Sequence, residues 1–360
     1  MGARVEVQGS QDLPTSPDPR AQLHEKRKAG TRVRSLDGLR GVAISLVLLS
    51  HLQIGDFGAA GPVGVTVFFV LSGYLITLIL TGPEQPSLRS FYARRIRRLY
   101  PALVVAVLGA TALSALDGLG GGGTRAVKAL AYVSNYYAWQ AGNQMGNLSH
   151  TWSLAVEEQF YLLWPLVMLM TKNLKVVVGG VVLALGWRLY LVQIEPNWLR
   201  IAFGSDTNAF ALLTGGAIAL MPSPRLSRTA GWASLGAILL IALIPGSARS
   251  IALLSFVVVP LAAVTVLSAG TLRLLENRVL VYLGTISYGL YLWHLPILYL
   301  GSPRILVLPL AVAIAALSWR LLEEPLLRRS KSAKTGFAAV SSTSTSSEIR
   351  RGTKRVLPDV

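Results

Sequence analysis

Apolar runs of close to twenty residues recur along this chain from about residue 36 to residue 322, and that recurrence narrows the choice of fold more than any other feature. A helical run of about 20 residues matches the ~30 Å hydrocarbon core of a bilayer, because each residue advances the helix by about 1.5 Å. Ten runs are readable, at about 36–54, 62–81, 100–116, 150–171, 175–194, 206–221, 230–246, 251–268, 279–300 and 304–322. Within lipid every backbone N–H and C=O must find its partner inside the segment, so the runs are read as helices. The sequence predicts an all-α integral membrane protein, a bundle of about ten transmembrane helices.

Composition agrees. Of 360 residues 52% are hydrophobic and 14% charged, with a mean hydropathy of +0.52; a soluble chain carries about 25% charged residues. The net charge of +17 does not point to nucleic acid. The basic residues stand in short clusters between apolar runs, as at Arg94-Arg95-Ile96-Arg97-Arg98 and Arg328-Arg329-Ser330-Lys331, which is the pattern of loops held on the cytoplasmic side of a bilayer. With ten crossings the clusters fall on the side of the two termini, so both termini are expected in the cytoplasm, with the lipid bilayer as partner. The chain has no cysteine, which excludes disulfides and thiol chemistry.

Three regions follow. Residues 1–33 are polar and proline-bearing and are read as a disordered cytoplasmic lead, with no cleavable signal peptide; residues 34–327 form the membrane domain; residues 328–360 are a basic, Ser/Thr-rich disordered tail. The longest outer loop, 117–149, is expected to open flexibly at Gly120-Gly121-Gly122-Gly123 and to carry an interfacial helix over 126–140, where Tyr132, Tyr136, Tyr137 and Trp139 suit the headgroup level.

Ionisable residues inside apolar spans carry the functional signal, because their burial in lipid is costly. The first span holds Asp37, Arg40 and His51. Arg40 and His51 are eleven residues apart, about three turns, so they share a face some 16 Å apart along the axis. A fixed cation near the cytoplasmic end and an imidazole deeper in would suit an anionic donor whose reactive atom reaches a general base; the alternative is an interfacial anchor and a packed polar residue. The arginine-rich stretch 89–98 reads as a loop, either a topology signal or a site for a phosphate-bearing carrier. In the fourth span Glu157 and Glu158 are adjacent and point about 100° apart, while His150 and Glu157 share a face. Glu157 then orients a histidine, pairs with an arginine, or belongs to a buried structural ion pair. His294 in the ninth span falls toward the outer half with His51 and His150, yet no His-x-x-x-His spacing exists, so no metal is expected. Glu323-Glu324-Pro325 reads as a helix stop.

Taken together, these segments resemble the acyltransferase-3 family of membrane O-acyltransferases. The resemblance is carried by Arg34-Ser35-Leu36-Asp37-Gly38-Leu39-Arg40-Gly41 with His51, by Gly64 to Ile76, by Phe91 to Pro101, by His150 to Tyr161, by Ser287-Tyr288-Gly289-Leu290-Tyr291-Leu292-Trp293-His294 and by Glu323-Glu324-Pro325. It implies ten membrane helices, a bacterial-type inner (cell) membrane, and transfer of an acyl group, often acetyl, from acyl-coenzyme A to a hydroxyl of a glycan, a lipid-linked sugar or a macrolide; coenzyme A is a substrate here, and no permanently bound cofactor is implied. The family's arginine and histidine fall on Arg40 and His51, making His51 the presumed catalytic residue with Arg40 and Glu157; its donor-handling motif falls on Arg95 and Arg98, and Asp37, Glu158, His150, Tyr288 and His294 are further candidates. Where the family commonly has Thr-Asp-Thr-Arg-Ala-Asp, this chain has Asn208 and Phe210 in place of the charged pair. The likeness is to the stand-alone forms. A multi-span transporter or a non-catalytic membrane scaffold would share the bundle.

Overall fold

The computed structural model describes residues 33–52, 57–83, 85–116, 121–140, 142, 145–222, 226–301 and 303–326. Nearly all of the lead read over 1–33, and the whole tail read over 328–360, lie outside the described residues, as does Gly120. Among the described residues all regular structure is helical: α1 (Arg34–Leu52), α2 (Ala60–Thr81), α3 (Leu88–Leu116), α4 (Gly122–Leu130), α5 (Ser134–Gln140), α6 (Thr151–Met170), α7 (Leu174–Ile194), α8 (Trp198–Phe203), α9 (Ser205–Leu220), α10 (Arg228–Ile241), α11 (Ala248–Ser268), α12 (Arg278–Thr285), α13 (Ser287–Leu298) and α14 (Arg304–Ser318). Short 3₁₀ turns at Gly146–Leu148, Ala269–Thr271 and Arg273–Glu276 and a π turn at Trp319–Glu323 complete it.

Six of these helical stretches are long and apolar enough to cross a membrane: Arg34–Leu52, Ala60–Thr81, Leu88–Ala115, Leu174–Ile194, Ala252–Thr271 and Arg304–Leu326. The other four expected spans stop short of that standard for visible reasons. α6 carries Glu157 and Glu158 in its middle. At 16 and 14 residues, α9 and α10 reach only about 24 and 21 Å against the ~30 Å of a bilayer core. The expected ninth span is broken at Ile286 into α12 and α13.

The bundle is centred on α1, α2 and α9, which bury Leu36, Leu39, Ile44, Phe69, Leu71 and Leu212 almost completely. α2 and α9 cross in backbone contact, because Gly73 and Gly215 each face the other helix's main chain. A Cβ on Gly73 would strike the Leu212 carbonyl, and one on Gly215 the Val70 carbonyl. Small residues at such a crossing let helices pack closely where lipid supplies little hydrophobic drive. The outer faces of α7 and α14 present bare aliphatic side chains, Leu183 and Ile305 among them.

Three local expectations are corrected. The arginine-rich stretch 89–98 is helix, continuous with α3 through Pro101. It holds no glycine or other strong breaker, and proline removes only the single N–H bond to the fourth residue back. The segment 126–140 is two helices, α4 and α5, parted where Tyr132 adopts φ 55°, and Gly122 and Gly123 open α4 as helix. A Gln159 Nε2 bond to the Tyr132 carbonyl (2.8 Å) holds that corner. The chain does not stop at Glu323-Glu324: helix continues from the π turn through Pro325 to Leu326, and the turn draws Glu323 into the protein, 1% exposed.

Candidate active site

Three helices align their polar residues around one narrow cavity. α1 brings Arg40 and, three turns on, His51. α13 runs beside it in the same direction: Arg40 Nη2 donates to Ser287 Oγ at 3.0 Å, and the His51 and His294 ring centroids are 5.0 Å apart. α6 runs the opposite way, with His150 just before its first turn beside His294, ring centroids 5.1 Å apart, and Glu157 two turns on at the level of Arg40. The cavity at the level of Arg40 is about 50 Å³ and is lined by Arg40, Phe68, Ser153, Glu157, Ser287, Tyr288 and Tyr291. It has room for little more than a water or two.

Each polar group has a definable setting. Ser72 of α2 donates to Glu157 Oε1 at 2.8 Å. Arg40 and Glu157 share the cavity wall without an ion pair between them, so a cation and a carboxyl face the same small space. Tyr288 donates to the Leu99 carbonyl at 3.0 Å, which fastens α13 to α3. Tyr291 lies within 2.8 Å of the His150 carbonyl and 2.5 Å of Ser153 Oγ and separates the cavity from the histidines. His51 is half-buried, and its Nδ1 lies 2.9 Å from the Val47 carbonyl. A carbonyl only accepts, so Nδ1 carries a hydrogen, and in the neutral ring Nε2 then keeps its lone pair, the state a general base needs.

The structure brings His51, His150 and His294 together and sets Arg40, Glu157 and Tyr288 around the cavity they border. Asp37 stands half-buried in the first turn of α1 and is not a cavity-lining residue. Glu158 points the other way from Glu157. Its carboxylate takes Arg95 Nε at 3.1 and 3.0 Å and Nη2 at 2.8 Å, while the guanidinium lies 3.3 Å above the Tyr161 ring. Arg98 lines a separate groove of about 200 Å³ with Arg94, Arg95 and Arg97 at the basic end of α3. Among the described residues no group of histidines and carboxylates could hold a metal ion.

Sequence reasoning passed over several residues that the fold makes prominent. Ser72, Ser153, Ser287 and Tyr291 have no ionisable signal and become polar partners only through packing. Glu323 was read as part of a stop. Arg188, a charge inside an apolar run, was legible but unremarked: it is 1% exposed and donates to the backbone carbonyls of Ile201, Thr207 and Ala252 at 3.2, 2.8 and 2.8 Å. Asn208 and Phe210 belong to that corner. Asn208 Nδ2 donates to the Ala202 and Gly204 carbonyls, both at 2.8 Å, and Phe210 lies under the Arg188 guanidinium.

No solved structure matches the chain. It is 33% identical to the peptidoglycan O-acetyltransferase OatA of Listeria monocytogenes, over 82% of this chain and 56% of the relative. It is 30% identical to the Bacillus subtilis protein named "Putative peptidoglycan O-acetyltransferase YrhL", over 84% of this chain and 56% of that one. The chain thus spans about half the length of the curated relatives it matches. Residues 33–322, nearly the whole of the described bundle, match the family described as Acyltransferase domain, and the chain belongs to that family.

Proposed function

We propose that this protein is a membrane O-acyltransferase that moves an acyl group, acetyl in the simplest case, from acyl-coenzyme A to a hydroxyl of a cell-wall glycan. The observation that carries the reading is the placement of His51, with a lone-pair Nε2, one layer beyond a cavity walled by Arg40 and Glu157. Family membership supports the reaction class, and the relatives' names favour a glycan acceptor over a lipid-linked sugar or a macrolide. In this proposal the chain crosses a bacterial cell membrane ten times, with both termini cytoplasmic.

The chemistry balances without further reagents. His51 Nε2 takes the proton of the acceptor hydroxyl, whose oxygen attacks the thioester carbonyl carbon. The C–S bond breaks, the coenzyme A sulfur leaves with the electron pair, and the imidazolium returns the proton to it. Arg94, Arg97 and Arg98 in the basic groove of α3 suit the donor's phosphates. Arg40 suits the donor's inner end, and Tyr291, which stands between the cavity and the histidines, has to swing aside before a thioester reaches His51. Arg95 borders the same groove, but its guanidinium is committed to Glu158 and fastens α3 to α6 in this reading.

Membranes carrying the full chain, fed labelled acetyl-coenzyme A and glycan strands from cell walls, test this. Wild type transfers label to sugar hydroxyls, and His51→Ala reduces the rate at least 100-fold at equal protein level, the order of a lost general base. Transfer by His51→Ala at the wild-type rate refutes the role of His51.

A further inference from the structure

Glu323 is a buried carboxyl between the basic groove and the cavity. The π turn Trp319–Glu323 brings it inward at the end of α14 and packs against α3. Glu323 is 1% exposed, and its Oε1 is buried without a hydrogen-bond partner. A buried acceptor left unmatched costs stability, and folds rarely keep one without a use for it. Its surroundings indicate the use. Arg98 on the groove side and Arg40 on the cavity side are the charges that act on it, and its carboxyl in turn acts on Tyr288, which lines the cavity. Leu326, about one turn further on, lines the groove. The partition between the two spaces is one layer thick: Leu99 lines the groove, and its carbonyl accepts from the hydroxyl of Tyr288 at 3.0 Å.

Resting on the acyl-coenzyme A donor proposed above, we propose that Glu323 Oε1 accepts an amide N–H of the donor's pantetheine arm. With the donor's phosphates in the groove and its thioester at Arg40, the arm has to cross the partition of Leu99 and Tyr288 beside Glu323. The arm carries no charge. Its two amide N–H groups lose their water on entering the protein and need an acceptor there. A carboxylate repels phosphate, so Glu323 suits this uncharged middle of the donor and not the phosphates that the arginines take.

Coenzyme A itself carries the arm, so equilibrium binding of labelled coenzyme A to the detergent-solubilised full chain reads the contact without catalysis. Two analogues, each with one pantetheine N–H replaced by an ester oxygen, remove the donors one at a time. Wild type binds one of them about 10-fold more weakly than coenzyme A, the loss of one hydrogen bond. Glu323→Leu, of similar bulk, binds coenzyme A about 10-fold more weakly than wild type and no longer distinguishes that analogue. Glu323→Met behaves alike and replaces it if leucine disturbs folding, while Glu323→Gln keeps an oxygen in place and keeps the preference. A carboxyl that only balanced the charge of Arg98 would give the opposite sign, because removing it strengthens the hold on phosphate. Leucine and methionine proteins that bind coenzyme A as tightly as wild type, or more tightly, therefore overturn the proposal. So do variants that keep the analogue preference, and so does a wild type that binds both analogues as tightly as coenzyme A. These results leave the proposed donor standing, whereas a wild type that binds no coenzyme A overturns the donor and this inference together.

Discussion

On the proposed function, the Arg95–Glu158 pair makes Arg95 a scaffold arginine and Arg98 a donor arginine, and the consequences can be worked from its geometry. Three N–H···O contacts of 2.8–3.1 Å join a guanidinium to one carboxylate, with the side chains 20% and 18% exposed. A charge-assisted bond contributes about 1.5–3 kcal/mol, and breaking a fully buried ion pair costs about 3–5 kcal/mol. With a fifth of each side chain open to solvent, a coupling of about 2 kcal/mol is the reasonable figure, and stacking on Tyr161 adds about 1 kcal/mol. Arg95→Ala is therefore expected to destabilise the protein by about 3 kcal/mol, and a cycle with Glu158→Ala to recover about 2 kcal/mol as coupling. Denaturation of the detergent-solubilised protein followed by tryptophan fluorescence reads the stability, and labelled transfer reads KM for acetyl-coenzyme A. Arg95→Ala leaves that KM within about threefold of wild type, whereas Arg98→Ala, from the basic groove, raises it about tenfold through loss of a phosphate contact. An Arg95→Ala protein of unchanged stability whose KM rises as far as that of Arg98→Ala refutes the assignment.

Two further outcomes concern the scaffold. Arg188→Leu removes three buried charge-assisted hydrogen bonds at the corner of α7, α8, α9 and α11 and is expected to destabilise by about 3 kcal/mol or more, about 1.5 to 3 kcal/mol per bond before relaxation; an unchanged denaturation midpoint in detergent contradicts it. Gly215→Val drives a branched side chain into the Val70 carbonyl and the Tyr74 amide of α2, so size-exclusion chromatography of the solubilised protein should show aggregate in place of the wild-type peak.

Helix positions were legible where hydrophobic runs are long, because a run near twenty residues has few alternatives. The breaks were not. Nothing in Ala126–Gln140 by itself forces the turn at Tyr132; the Gln159 amide from α6 holds it, a tertiary partner outside the segment's own sequence. The basic end of α3 reads as a loop by charge alone, while helix-compatible residues carry the helix through it. In the site, the spacing of Arg40 and His51 and the shared face of His150 and Glu157 could be read from helical periodicity, and both sets line up along their helices as that arithmetic requires. What periodicity could not supply was the third helix between them. That α13 places Ser287 beside Arg40 and His294 beside His51 follows from packing of segments almost 250 residues apart.

Asn208 and Phe210, standing where the resemblance leads one to expect a charged pair, show why local context decides what such a change means. An arginine and a carboxylate exchanged together for neutral residues leave no stranded charge, but the corner they occupied still has to be closed. Here Asn208 bonds the last turn of α8 and its exit, at the Ala202 and Gly204 carbonyls, while Phe210 offers a ring face to Arg188. Arg188 in turn ties α8, α9 and α11 to α7 through main-chain carbonyls that any sequence would provide. Backbone carbonyls thus serve as the hydrogen-bond acceptors of a buried cation. Neither Asn208 nor Phe210 lines the cavity of Arg40 and Glu157, so the departure alters how the bundle is fastened and leaves the cavity's own polar groups as they are.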